Sequence, residues 1–155
     1  MKSNAMRLLE ENSITFQAHE YDIADGKIDA CSIAGKLNRS TDEVFKTLVT
    51  EAPGPEYFVF VVPASGELNL KKAAKAAGDK DMALIPVKDL LGLTGYIRGG
   101  CSPVGMKKKY PTYFEETCEL FSQIAVSAGE RGHQMILPPM DLVALVNGTL
   151  ADLII

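Results

Sequence analysis

Apolar and polar positions along this chain switch between a helical period and a strict alternation, and the switches mark its elements. Met6, Leu8 and Leu9 fit one face of a helix that Ser3 or Asn4 can cap and that ends near Asn12. Ile14, Phe16 and Ala18 then alternate with polar residues up to Tyr21, which predicts a strand. Ala30 to Leu37 reads as a helix capped by Asp29, and Ser40-Thr41-Asp42-Glu43 has the pattern of a capping box opening a second short helix into Val44 and Phe45. Two β-rich runs, Thr47 to Thr50 and Tyr57 to Val62, flank Ala-Pro-Gly-Pro and predict a hairpin. The Ala- and Lys-rich run Leu70 to Ala77 is a helix stopped by Gly78. A short strand over Met82 to Ile85 precedes Pro86, which is placed to start a helix over Val87 to Leu91. Gln123 to Ser127 and Gln134 to Leu137 are strands around a glycine loop, and Pro138-Pro139 introduce a last helix, Met140 to Val146. Short strands and helices interleave without long regular crossovers, so the pattern predicts an α/β domain with a mixed sheet able to close on itself.

Composition narrows the class. The 155 residues suit one domain, spanning 1–155, and 46% apolar with 23% charged residues are globular values that exclude disordered, collagen-like and coiled-coil chains. The longest apolar stretch, Phe58 to Pro63, is of strand length, and Glu10 and Glu11 interrupt the start of the chain, so neither a membrane span nor a signal peptide is expected. Cys31, Cys101 and Cys118 show no CxxC spacing, which argues against a disulfide framework or zinc ribbon and for a reducing cytoplasm.

The net charge of −4 excludes a surface that is basic throughout, but its distribution is uneven. Residues 65–109 carry nine Lys or Arg against four acids, a local +5 that leaves −9 for the remainder. Lys71 and Lys75 share one helical face and Lys107 to Lys109 follow a glycine-rich segment, a pattern that fits either approach of a polyanion or a solvated face.

Candidate chemistry gathers in three places. Gly95 to Gly105 contains the pair Gly99-Gly100, whose backbone amides can approach an anion or an oxyanion; a tight turn needs the same glycines. Cys101 and Ser102 in that segment are nucleophile candidates that lack a local base, since the chain has only His19 and His133, and a packed thiol is the simpler reading. Neither histidine stands in a zinc-binding spacing, and no metal or other cofactor is expected. Lys46 is a single cation among Val44, Phe45, Leu48 and Val49, placed either to snorkel to solvent or to anchor a phosphate or carbonyl in a pocket. Ser127 to Gly132 is a second glycine loop, with Arg131 available to a phosphate or to an internal salt bridge.

Phe45-Lys46-Thr47-Leu48-Val49, Leu70-Lys71-Lys72, Gly95-Tyr96 leading into Gly99-Gly100-Cys101-Ser102-Pro103-Val104-Gly105-Met106-Lys107-Lys108, and Ser127-Ala128-Gly129-Glu130-Arg131-Gly132 occur in that order. Together they resemble the YbaK/EbsC family of free-standing aminoacyl-tRNA editing domains, and within it the Cys-tRNA(Pro) deacylases, over nearly the whole chain. The resemblance implies one α/β domain with a curved, barrel-like mixed sheet, related to the editing insertion of bacterial prolyl-tRNA synthetases. It implies a trans-editing deacylase that removes cysteine from tRNA(Pro), a task that arises because a pocket rejects an isosteric side chain poorly.

By the same resemblance Lys46 matches the essential lysine that holds the terminal adenosine, and Gly99 and Gly100 match the loop facing the aminoacyl ester. Thr47 matches the cysteine-specific pattern, Tyr21 a pocket tyrosine, and Ser127 and Gly129 the second glycine loop. Cys101, Ser102, Pro103, Ala128 and Arg131 complete the expected binding surface. The substrate thiol is implied to attack its own ester, which weakens a nucleophilic role for Cys101 and leaves a thiol hydrolase using Cys101 as the outside alternative. Ile28 stands where some members have Phe, and Gln134 where some have Asp, so specificity for another small amino acid such as alanine is the alternative within enzymes. A non-catalytic module binding tRNA ends or nucleotides is the alternative outside them. The implied partners are the tRNA(Pro) acceptor end and prolyl-tRNA synthetase, with neither membrane nor DNA.

Overall fold

The computed structural model describes residues 2–155. In chain order it has α1 (Asn4–Glu11), β1 (Gln17–Glu20), α2 (Ala30–Lys36), β2 (Phe45–Ala52), β3 (Glu56–Pro63), α3 (Leu70–Ala77), β4 (Ala83–Leu84), α4 (Val87–Thr94), β5 (Thr112–Glu115), β6 (Ile124–Ser127), β7 (His133–Leu137), α5 (Pro139–Leu145) and β8 (Thr149–Ala151). A 3-10 turn, Glu116–Leu120, joins β5 to β6.

Local chemistry sets the helix ends. Ser3 Oγ accepts from the Met6 N–H at 3.1 Å and Asp29 Oδ2 from the Ser32 N–H at 3.0 Å, each supplying a first-turn amide with an acceptor. Gly78 ends α3 at φ 75°, a left-handed conformation that costs glycine little. Pro86 is the cap of α4 and the helix runs beyond Leu91 to Thr94.

The strands form two sheets. One is mixed, in the order β4-β2-β3-β5-β8, with antiparallel β2–β3 and β2–β4 pairs and parallel β3–β5 and β5–β8 pairs. The other is antiparallel, in the order β1-β7-β6. They meet at a parallel bridge between Val44 and Ala125, reinforced by the Ala125 N–H on the Glu43 carbonyl at 2.9 Å. The expected mixed α/β domain is present, but the sheets do not close into a barrel. β4 pairs with β2 only at Thr50 and Glu51, and β6 reaches its start only at Val44. The edge of β2 from Phe45 to Leu48 therefore has no strand partner on that side among the described residues.

Strand alternation distributes β2 and β3 between two cores. Phe45, Val49, Val59 and Val61 join Leu9, Phe114, Met135 and Leu137 in one; Phe58, Phe60 and Val62 meet Ala73 and Ala74 of α3 in the other. Each such large side chain contributes roughly 1.5–3 kcal/mol on burial.

Two local readings are overturned. Ser40 to Glu43 makes a turn, in which Ser40 Oγ accepts from the Asp42 N–H at 3.1 Å, because the buried Val44 and Phe45 are drawn into extended pairing. The strand expected from Ile14 begins only at Gln17; Ile14 and Phe16 pack on the core from an irregular segment.

Candidate active site

The unpaired edge of β2 opens into a cleft of about 500 Å³. Alternation turns Thr47 to one face of the strand and Lys46 to the other, yet both line the cleft, because it wraps around an edge that no neighbouring strand covers. Asp29, Cys31 and Ile33 of the α2 region form one wall, with Ile28 before them; Leu84, Ile85, Val87 and Leu90 form another. Arg98, Gly99 and Cys101 come from the first glycine loop, Ser127 from the end of β6 and Gln134 from β7, where Ser127 and Gln134 are register partners.

Polar groups in and behind this cleft lack partners. Thr47 Oγ1, Gln134 Oε1 and Tyr21 Oη are buried without a hydrogen bond among the described residues. Gln134 is only 3% exposed and Tyr21 8%. A buried polar atom left unmatched costs about 1–3 kcal/mol, and two of the three belong to residues that line the cleft, Thr47 and Gln134. Lys46 is half-buried and makes no ion pair or side-chain hydrogen bond among the described residues.

The glycine loops interlock behind the cleft. A β-carbon on Gly100 would stand 3.0 Å from the Arg131 nitrogen and 3.2 Å from Glu130 Cα, so the backbones touch there. Gly129, at φ 101°, would place one 2.9 Å from Tyr96 Cε1, and the Tyr96 hydroxyl donates to the Val104 carbonyl. The Gly100 N–H is engaged by the Ile97 carbonyl at 2.9 Å, whereas the Gly99 and Cys101 amides, like those of Arg98 and Ser102, have no partner among the described residues.

The other expected residues are placed as follows. Ser102 is fully buried and its Oγ accepts from the Val104 N–H at 3.2 Å. Pro103 and Ala128 are buried, and Arg131 Nε donates to the Arg98 carbonyl at 2.7 Å. Tyr21, Gly100, Ser102, Pro103, Ala128, Gly129 and Arg131 thus support or flank the cleft, whereas Ile28, Lys46, Thr47, Gly99, Cys101, Ser127 and Gln134 line it.

Burial pushes the Cys101 thiol up to about 12 from its ordinary 9.0. His133 pairs with Glu20 at 3.9 Å and does not line the cleft, so it forms no nucleophile–base pair with Cys101. The apolar lip Leu84, Val87 and Leu90 escaped the sequence reading; its only signal was the run of apolar residues around Pro86, and only the structure shows how exposed they are, with Val87 61% exposed.

Residues 29–145 match the family model described as the aminoacyl-tRNA editing domain, and the chain belongs to that family. Among its relatives, an Enterococcus faecalis protein named "Putative Cys-tRNA(Pro)/Cys-tRNA(Cys) deacylase EbsC" is 43% identical over 152 residues, covering 98% of this chain and 93% of that one. A Staphylococcus aureus proline–tRNA ligase is 27% identical over 107 residues, 69% of this chain but only 18% of the ligase. The crystal structure of "a putative trans-editing enzyme for prolyl tRNA synthetase" shares the fold, with a TM-score of 0.86 at 22% identity over 100% of this chain and 99% of that one.

Proposed function

We propose that this protein is a trans-editing aminoacyl-tRNA deacylase that clears Cys-tRNA(Pro) by substrate-assisted attack. One observation carries the reading: Lys46, which has no ion-pair partner among the described residues, shares a cleft with the unpartnered Thr47 and Gln134 oxygens, and no hydrogen-bonded nucleophile–base pair lies there among the described residues. Such a cleft holds and orients an ester. The name of the 43% identical relative supports the substrate, and the likeness to part of a proline–tRNA ligase supports the connection to proline decoding.

Lys46 engages the terminal adenosine and its phosphate, and the Thr47 and Gln134 oxygens accept hydrogen bonds from the α-ammonium. The Gly99 and Cys101 amides face the ester carbonyl. The cysteinyl sulfur attacks that carbonyl carbon, the bond to the ribose oxygen breaks, and the thiol proton passes to that oxygen. Water then opens the cyclic thioester to free cysteine. The chain contributes a near-attack geometry, in which intramolecular reaction gains several kcal/mol, and donors for the developing oxyanion. The tRNA(Pro) acceptor end is the substrate in this reading, and prolyl-tRNA synthetase the partner that delivers it. No helix of the described residues is long and apolar enough to cross a membrane.

Turnover of purified Cys-, Ser-, Ala- and Pro-tRNA(Pro) tests the proposal. Cys-tRNA(Pro) is hydrolysed, and replacing its thiol by the hydroxyl of Ser slows hydrolysis at least a hundredfold. Persistence of Cys-tRNA(Pro) at high enzyme concentration sinks the deacylase reading, and equal rates for Cys and Ser sink the thiol mechanism. Preferential hydrolysis of Ala-tRNA(Pro) would shift the substrate to alanine.

A further inference from the structure

Six cations run outward from the cleft without a carboxylate partner. Arg98 lines the cleft, and Arg131 is anchored on its carbonyl at 2.7 Å. Gly95 lies three residues before Arg98, a span of at most about 11 Å. A β-carbon on Gly95 would stand 3.3 Å from Lys107 Cγ, so the Lys107 stem covers this glycine, and Lys108 and Lys109 follow it, all three exposed. The same segment abuts α1: a β-carbon on Gly105 would lie 3.0 Å from Asn4 Nδ2, and Asn4 Oδ1 accepts from Arg7 Nη2 at 2.6 Å.

The charges on this strip are not neutralised within the protein. Ion pairs form elsewhere, between Lys2 and Glu10, Lys36 and Asp25, Arg39 and Glu43, and Lys72 and Asp152. None of the six has a carboxylate within 4.0 Å among the described residues, although Glu11 shares α1 with Arg7, Glu130 adjoins Arg131 and Asp89 lies on the preceding α4. A chain of net charge −4 thus leaves a local positive field beginning at the mouth of its cleft.

We propose that this strip, from Arg98 and Arg131 through Lys107, Lys108 and Lys109 to Arg7, is the docking surface for the double-helical stem of an RNA whose 3′ end enters the cleft. The proposal rests on the cleft being an aminoacyl-tRNA site and says where the rest of that molecule lies. Continuity with the cleft favours RNA over an acidic protein, because the substrate's own phosphates extend out of the cleft and Arg98 joins Lys46 as a cation on its lining. Arginine at the mouth suits bidentate phosphate contact, and lysines farther out act as point charges that fix no sequence.

The test measures binding of uncharged tRNA(Pro) transcript by fluorescence anisotropy across a KCl titration, for wild type and the triple variant Lys107→Gln, Lys108→Glu, Lys109→Glu. Gln at 107 keeps a stem over Gly95. The double variant Lys108→Gln, Lys109→Gln reports separately should the triple variant unfold. Affinity at low salt falls about tenfold or more in the triple variant, and the slope of log K against log salt becomes shallower by about 2–3. Hydrolysis of a short cysteinyl-adenosine ester stays within about twofold of wild type. Wild-type affinity and slope in both variants overturn the proposal, as does unchanged tRNA binding with lost capture of purified prolyl-tRNA synthetase, which would make the strip a protein-docking surface. If tRNA binding depends on the strip while neither Cys-tRNA(Pro) nor the short ester is turned over, the surface stands and the deacylase reading fails.

Discussion

Ile28 holds its Cδ1 2.7 Å from the point where a β-carbon on Gly99 would stand, so the segment before α2 and the first glycine loop meet in a contact that only glycine permits. Gly99 also sits at φ 85°, a conformation costly for any other residue here. Gly99→Ala is therefore expected to lower stability by about 1–3 kcal/mol and kcat/KM on Cys-tRNA(Pro) at least tenfold. Adding Ile28→Ala removes the Cδ1 and Cγ1 contacts but leaves Ile28 Cβ at 3.1 Å and the backbone cost, so the double variant recovers only part of the melting temperature lost. Thermal melts of the two single variants and the double settle it; no recovery would mean that the contact with Ile28 is not what excludes a side chain.

Lys46 makes no ion pair among the described residues, so its removal separates function from folding. Lys46→Ala is expected to reduce kcat/KM by at least about 10²-fold while stability changes by less than about 0.5 kcal/mol, the range of a substitution that breaks no internal contact. Arginine at this place restores the charge but not the ammonium's compact geometry and recovers little activity. Activity assays beside urea unfolding decide the matter, and a large loss of stability would count against a ligand-holding role.

Gln134 leaves a buried acceptor unmatched, so replacing it with an apolar side chain of similar volume removes a cost of about 1–3 kcal/mol. Gln134→Met is expected to be as stable as wild type or more so, with kcat/KM lowered at least tenfold. A destabilised variant of full activity is the opposite outcome and would make Gln134 a structural residue.

Burial raises the Cys101 thiol to about 12, so it stays protonated well above neutral pH, and burial raises Cys118 to about 11. Cys101→Ala is expected to retain activity within about threefold, and iodoacetamide at pH 8 should label the exposed Cys31 first. The linkage has a definite sign. Between the ordinary thiol value of 9.0 and these raised values the folded state binds more protons than the unfolded, so stability falls as pH rises from about 9 towards 12. Below 9 the two thiols contribute no slope. Urea unfolding from pH 8 to 11 measures it, and a curve that is flat or rising across that range contradicts the burial of these thiols.

Much of the element order was legible because its signals are local. Ser3, Asp29 and Gly78 act within one helical turn, and Ala-Pro-Gly-Pro joins two strands that are neighbours in sequence. The capping pattern at Ser40 misled because its hydrogen bond also suits a turn, and the bridge from Val44 to Ala125, contributed from far along the chain, decided between them. β5 and β8 gave no usable signal: each is a short strand held by parallel pairing to a distant neighbour.

The sequence by itself determined which groups are available: one cation in an apolar run, two glycine loops, a pair of polar residues at Thr47 and Gln134, and a basic middle in an acidic chain. Tertiary structure alone decided which of them are free. β4 and β6 stop short of the same stretch of β2, opening the cleft to Lys46 and Thr47 together, and the Ile97 carbonyl takes the Gly100 amide but not that of Gly99. The reason is physical: residue types fix what a group can bond to, but whether its partner is another part of the chain or a ligand depends on contacts between segments far apart in sequence.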